Sequence, residues 1–151
     1  IELTTSIVGL IDGSAKQLET IAKEDEERNF EKAIELVSDG LDTNRDARDK
    51  ATALAQDLEI MANNLAGISP TAVQRSATYA IGAQVLLISH LIAYNDFYSQ
   101  LLEALRAKFL GAQVDLKIKD LVLKISGEIE IINKLNTQFT TSISQFDGYF
   151  K

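Results

Sequence analysis

The stretch SATYAIGAQVLLISHLIAYN, residues 76–95, carries no charged side chain in a chain that is 25% charged. A helix that apolar must be covered around most of its circumference, so it reads as the central helix of an all-α bundle. It approaches the length of a membrane span. Thr78, Gln84, Ser89, His90 and Asn95 dilute it, however, and a core helix is the better reading. Ser69 is placed to cap this helix, Pro70 to fill its first turn, where a missing N–H costs nothing, and Gly111 to close it. Val73, Ala77, Ala80, Leu87, Leu91, Tyr94, Tyr98, Leu101 and Leu105 form one seam along it, which Ile81, Ile88, Leu102 and Phe109 widen.

Upstream, Leu3, Ile7, Leu10, Ile11, Leu18 and Ile21 recur at helical spacing and predict a short first helix. Gly9 and Gly13 within it are spaced to permit a close helix crossing. The apolar face vanishes over residues 23–29 (KEDEERN) and resumes about 100° out of phase at Phe30, Ala33, Ile34 and Val37. That predicts a solvated corner, with Asn29 able to cap the next helix. The second helix carries a seven-residue ladder (Phe30, Val37, Ala51, Leu58, Leu65) and a partner ladder (Ile34, Leu41, Ala55, Ala62). A strict seven-residue repeat implies a coiled-coil-like, left-handed supercoil. Asn44 and Arg48 interrupt the seam, either to set register or as a solvated break, and Asp39-Gly40 is a candidate kink.

Downstream, two short alternations (VDLKIK at 114–119, EIEI at 128–131) suggest a β-hairpin. A helical seam through Val114, Ile118, Leu121, Ile125, Ile132, Leu135, Phe139, Ile143, Phe146 and Phe150 outweighs them. Together these predict an antiparallel bundle of four helices, one short and three long, at about 3–22, 29–66, 70–110 and 113–149, in a single domain. The short helix covers half the bundle, leaving a four-helix end and a three-helix end. Leu116 and Leu123 make the start of the fourth helix apolar nearly all round. The most apolar part of the third helix points toward the thinly covered end. That mismatch predicts cover from a second copy, an apolar ligand or a neighbouring domain.

Residues 1–66 hold 15 acids and 7 bases, against 7 acids and 8 bases in residues 67–151. Nucleic acid and anionic membrane surfaces need clustered Lys and Arg, so an acidic first half argues against both as partners. Cysteine is absent, which removes disulfides, thiolate metal sites and a cysteine nucleophile, and leaves the compartment undecided. The chain opens on Ile1 without a signal-peptide pattern and reads as a processed chain or a domain of a longer one.

Chemistry finds little purchase. His90 is the single histidine and cysteine is absent, which argues against a zinc site, and Leu87 stands where a di-iron Glu-x-x-His motif needs glutamate. Asp42-Thr-Asn44-Arg-Asp46 opens like a calcium loop but has Ala47 for the sixth-position glycine and Ala53 for the twelfth-position glutamate. These charges read instead as exposed helix pairs. Asp96, Glu103 and Glu128 sit in apolar surroundings, and no spacing brings them together. His90, Tyr94 and Tyr98 follow at four-residue steps, as a polar stripe or as hydrogen-bonded core groups, the latter being the commoner arrangement.

The expected function is a non-catalytic interaction or structural module, without cofactor or metal, that binds a protein partner or a second copy. Two rivals are an extracytoplasmic sensory four-helix bundle of a membrane receptor and a carrier of a small apolar ligand. The candidate ligand or partner surface is Tyr79, Ile81, Leu87, His90, Leu91, Tyr94 and Tyr98.

Overall fold

The computed structural model describes residues 2–67 and 71–148. Four α-helices follow one another: α1 (Glu2–Glu26), α2 (Phe30–Asn64), α3 (Thr71–Phe109) and α4 (Asp115–Gly148), with a single 3₁₀ turn at Leu65–Gly67. The three long helices span roughly 50–60 Å at 1.5 Å per residue. No strand occurs among the described residues, and the two short alternations lie in α4 except for Val114, which directly precedes it. The expected cap at Ser69 and Pro70, and the seam position Phe150, lie outside the described residues, as do the side chains of Leu3, Ala66 and Phe146.

The contacts run α2 against α3, and α3 against α4, in opposite directions. Phe30 at the start of α2 stacks on Phe109 at the end of α3, ring centroids 6.0 Å apart, while Asn44 further along α2 meets Asn95 and Ser99. Likewise His90 of α3 meets Glu128 of α4, and Phe97 lies under Lys124. The core is built on α3, whose Leu87, Ile88, Leu101 and Leu102 are at most 2% exposed, as are Tyr94 and Tyr98. Around them pack Ile7 and Ile21 of α1, Val37 and Leu58 of α2, and Leu121, Ile125 and Ile132 of α4. Burying each such Leu or Ile stabilises by about 1.5–3 kcal/mol, which is why the uncharged run sits at the centre. By length and composition α3 is also the one described helix that passes as a membrane span, with mean hydropathy 1.4 over its most apolar window.

Two helix ends share one device. At the end of α3, Gly111 takes φ 96; its N–H donates to Lys108 O and that of Ala112 to Ala107 O. At the end of α1, Arg28 takes φ 57 and donates to Asp25 O, while Asn29 N–H donates to Glu24 O. Both satisfy terminal carbonyls by turning one residue left-handed. Glycine does this freely, whereas arginine does so at a cost of about 1 kcal/mol.

Four details differ from the sequence expectation. First, α1 continues a turn beyond residue 22, to Glu26, where Lys23 pairs with Glu27 at 3.9 Å and Asp25 with Lys108 at 3.7 Å. Second, Asn29 caps α2 with its backbone carbonyl, accepting from Ala33 N–H. Its side chain makes no cap bond and donates instead to Glu24. Third, Gly9 and Gly13 mediate no close crossing, since a Cβ at either would meet nothing within 4 Å. The close approach is at Gly40, where a Cβ would lie 2.7 Å from the Gln17 amide. Residues 39–40 accordingly sit inside an unbroken helix, and Gly40 makes room for a neighbour. Fourth, one face of the start of α4, which the short first helix is expected to lie beside, stays bare: Leu116 is 86% and Leu123 65% exposed.

Candidate functional site: two neighbouring cavities beside the central helix

Where α1 runs along α2, three polar contacts tie the layers together. Gln17 of α1 donates to Leu36 O of α2 at 3.5 Å and accepts from the Tyr98 hydroxyl of α3 at 2.6 Å. Tyr98 also approaches Ser14 O at 3.3 Å. Asn44, 5% exposed, donates to Asn95 O and to the Ser99 hydroxyl, both at 2.6 Å. Arg48, one turn on, pairs with Asp96 at 3.2 Å. The break in the α2 seam is therefore a polar cross-link to α3. The calcium-like run that contains Asn44 is continuous helix.

Burial raises both tyrosine pKa values. Tyr94 is pushed up by loss of solvent, and Tyr98 is pushed well up by the same cause together with its neighbour Tyr94. The two rings stack at 6.1 Å. Asn95 is wholly buried, and neither its Nδ2 nor its Oδ1 has a partner.

Next to this cross-link all four helices leave space. A cavity of about 1010 Å³ is lined by Ser6, Ile7 and Leu10 of α1 and by Thr43, Asp46, Ala47, Lys50, Ala51 and Leu54 of α2. Gln84, Ile88 and Leu91 of α3 and Phe139 and Ile143 of α4 complete it. Ile7, Ala51, Ile88, Leu91 and Phe139 are buried and form its floor; Ser6, Thr43, Asp46 and Lys50 are exposed and form its mouth. A second space of about 280 Å³ is lined by Gly9, Leu10, Gly13, Ser14, Gln17, Gly40, Thr43, Asn44 and Tyr98. Leu10 and Thr43 line both.

The seven candidate surface residues do not share one site. Leu91 lines the larger space and Tyr98 the smaller. Leu87, Tyr94 and Ile81 are core, at 0%, 2% and 9% exposure, and Tyr79 is 63% exposed. His90 Nδ1 lies 2.7 Å from Glu128 Oε2 on the α4 side. The four-residue steps from His90 to Tyr94 to Tyr98 advance the stripe about 40° each, turning it from α4 toward α1. Sequence reasoning missed the His90–Glu128 pair and the Gln17–Tyr98 bond, because each joins residues far apart in the chain. The available signal was polar residues on otherwise apolar faces of adjacent helices. Among the described residues no three His, Asp or Glu side chains converge as metal ligands.

The fold and cavity together define an all-α four-helix bundle with space for a small molecule between its helices. No protein-family model matches the chain, and no curated protein or solved structure is significantly similar to it.

Proposed function

We propose that this chain is a non-catalytic binding module that holds a small, largely apolar molecule between its helices. The observation that carries this reading is the cavity of about 1010 Å³ with a buried aliphatic and aromatic floor. Ligand sites of several hundred cubic ångströms with mostly apolar walls and a few polar groups are the usual form of such pockets. Its placement beside the apolar part of α3, with α1 the shortest of the four helices, also supports the reading. The non-catalytic half of the proposal is supported by the lining: its titratable side chains, Asp46 and Lys50, are both exposed at the mouth, and none lies on the buried floor.

Titration with N-phenyl-1-naphthylamine, an uncharged fluorescent probe, tests the reading. The chain should enhance its emission saturably at one probe per chain, and Ala47→Phe, which fills the cavity from α2, should weaken binding at least about tenfold. A chain that gives no enhancement, with Ala47→Phe indistinguishable from it, refutes the proposal.

A protein partner or second copy is favoured by a different observation. Leu116 and Leu123, seven residues apart on one face of α4, are 86% and 65% exposed. Sedimentation equilibrium tests self-association, and Leu116→Glu with Leu123→Glu should abolish any dimer observed.

A further inference from the structure

The smaller space says what kind of molecule the larger one takes, and the inference rests on the binding reading above. No charged side chain lines the smaller space, yet it is rich in oxygen atoms with unused lone pairs. The Tyr98 hydroxyl spends its proton on Gln17 and Ser14, and can still accept. The Ser14 hydroxyl spends its proton on Leu10 O. Asn44 uses its amide N–H groups on Asn95 and Ser99, so its Oδ1 is left to accept. The donor that remains is the second amide hydrogen of Gln17, whose first goes to Leu36 O. A group entering here meets several acceptors and one donor. An acceptor-only carboxylate fits that lining badly, and burying it without a cation is costly. A cationic end has no carboxylate here to pair with. A hydroxyl, which both donates and accepts, fits.

The mouth of the larger cavity does not change this balance. Lys50 there is offset by Asp46 one turn earlier on α2, so the rim is neutral as a pair. The chain as a whole carries −7, which opposes anions further. We infer that the ligand is a single-chain amphiphile ending in an uncharged hydroxyl-bearing group. Its hydrocarbon part lies against Ile88, Leu91 and Phe139, and its polar end lies among Gln17, Asn44 and Tyr98. Gly9 and Gly13 give that end its room, since nothing stands within 4 Å of where their Cβ atoms would be.

The test is displacement of bound N-phenyl-1-naphthylamine from the full chain by four twelve-carbon competitors: dodecan-1-ol, monododecanoylglycerol, dodecanoate and dodecyltrimethylammonium. The two uncharged competitors should displace the probe at concentrations at least about tenfold lower than either charged one. Gly13→Leu, which fills the smaller space, should remove that preference while leaving the probe's affinity within about twofold and the thermal melt intact. Dodecanoate competing as well as the alcohols overturns the inference and puts the polar end at Lys50, with the binding reading still standing. A preference that survives Gly13→Leu overturns it as well. Failure of the probe to bind at all overturns the binding reading, and this inference with it.

Discussion

Two buried asparagines at the α2–α3 interface should respond in opposite ways to the same change. Asn44 is 5% exposed and Asn95 0%, yet Asn44 makes two cross-helix bonds at 2.6 Å while the Asn95 carboxamide makes none. Asn44→Ala loses two hydrogen bonds, about 1 kcal/mol each. It also leaves a void of roughly 25 Å³, worth about 0.6 kcal/mol at 24 cal/mol per Å³. The expected loss is about 2–3 kcal/mol. Asn95→Ala opens a similar void but removes two unpaired polar atoms whose burial costs about 1–3 kcal/mol. The acceptor used by Asn44 is the Asn95 backbone carbonyl, which survives the substitution. The expected result is a gain of about 1 kcal/mol. At roughly 2–4 °C per kcal/mol for a chain this size, Asn44→Ala should melt about 5–10 °C below the parent and Asn95→Ala a few degrees above it. Thermal unfolding followed by circular dichroism, with urea titration to confirm an unchanged m-value, separates the two. If Asn95→Ala is destabilised as much as Asn44→Ala, the Asn95 amide is hydrogen-bonded and the interface geometry given above is wrong.

Gly127→Ala in α4, where a Cβ meets nothing, should stabilise by about 1 kcal/mol from helix propensity alone. Gly40→Ala should gain little or lose stability, because its Cβ displaces the Gln17 amide from Tyr98; equal melting shifts for the two would contradict that packing. Arg28→Gly should stabilise by about 0.5–1 kcal/mol through relief of the left-handed φ of 57, and a lower melting temperature would argue against that turn. Tyr94 and Tyr98 hold their protons more tightly when folded than when unfolded. The unfolded chain therefore ionises first, near pH 10, and stability falls as pH rises above that point. The Tyr94→Phe, Tyr98→Phe double variant should show a shallower alkaline loss in urea titrations from pH 9 to 11, and a slope equal to the parent's would count against buried phenols.

The helices were legible because their signals are local. The uncharged run at 76–95 reads as a core helix, and Ile88, Leu91 and Leu87 within it are at most 7% exposed. Gly111 marks the end of α3 because only one residue type takes φ 96 without strain. Where the chain used a costlier residue for the same turn, at Arg28, the sequence showed a charged corner and no stop signal. The meaning of Gly9 and Gly13 was not local. Their spacing suits a close crossing, but whether a partner backbone approaches depends on the azimuth of α2, which brings Gly40 to Gln17 instead.

By itself, then, the sequence determined the number, order and approximate ends of the helices, and which faces must be buried, because apolar periodicity acts within each segment. Tertiary structure alone decided that His90 meets Glu128, that Asn44 bridges to α3, and that α1 leaves a cavity beside Ile88 and Leu91. Those outcomes depend on the relative rotation and axial offset of helices distant in the chain, which seven-residue ladders constrain only to within a face.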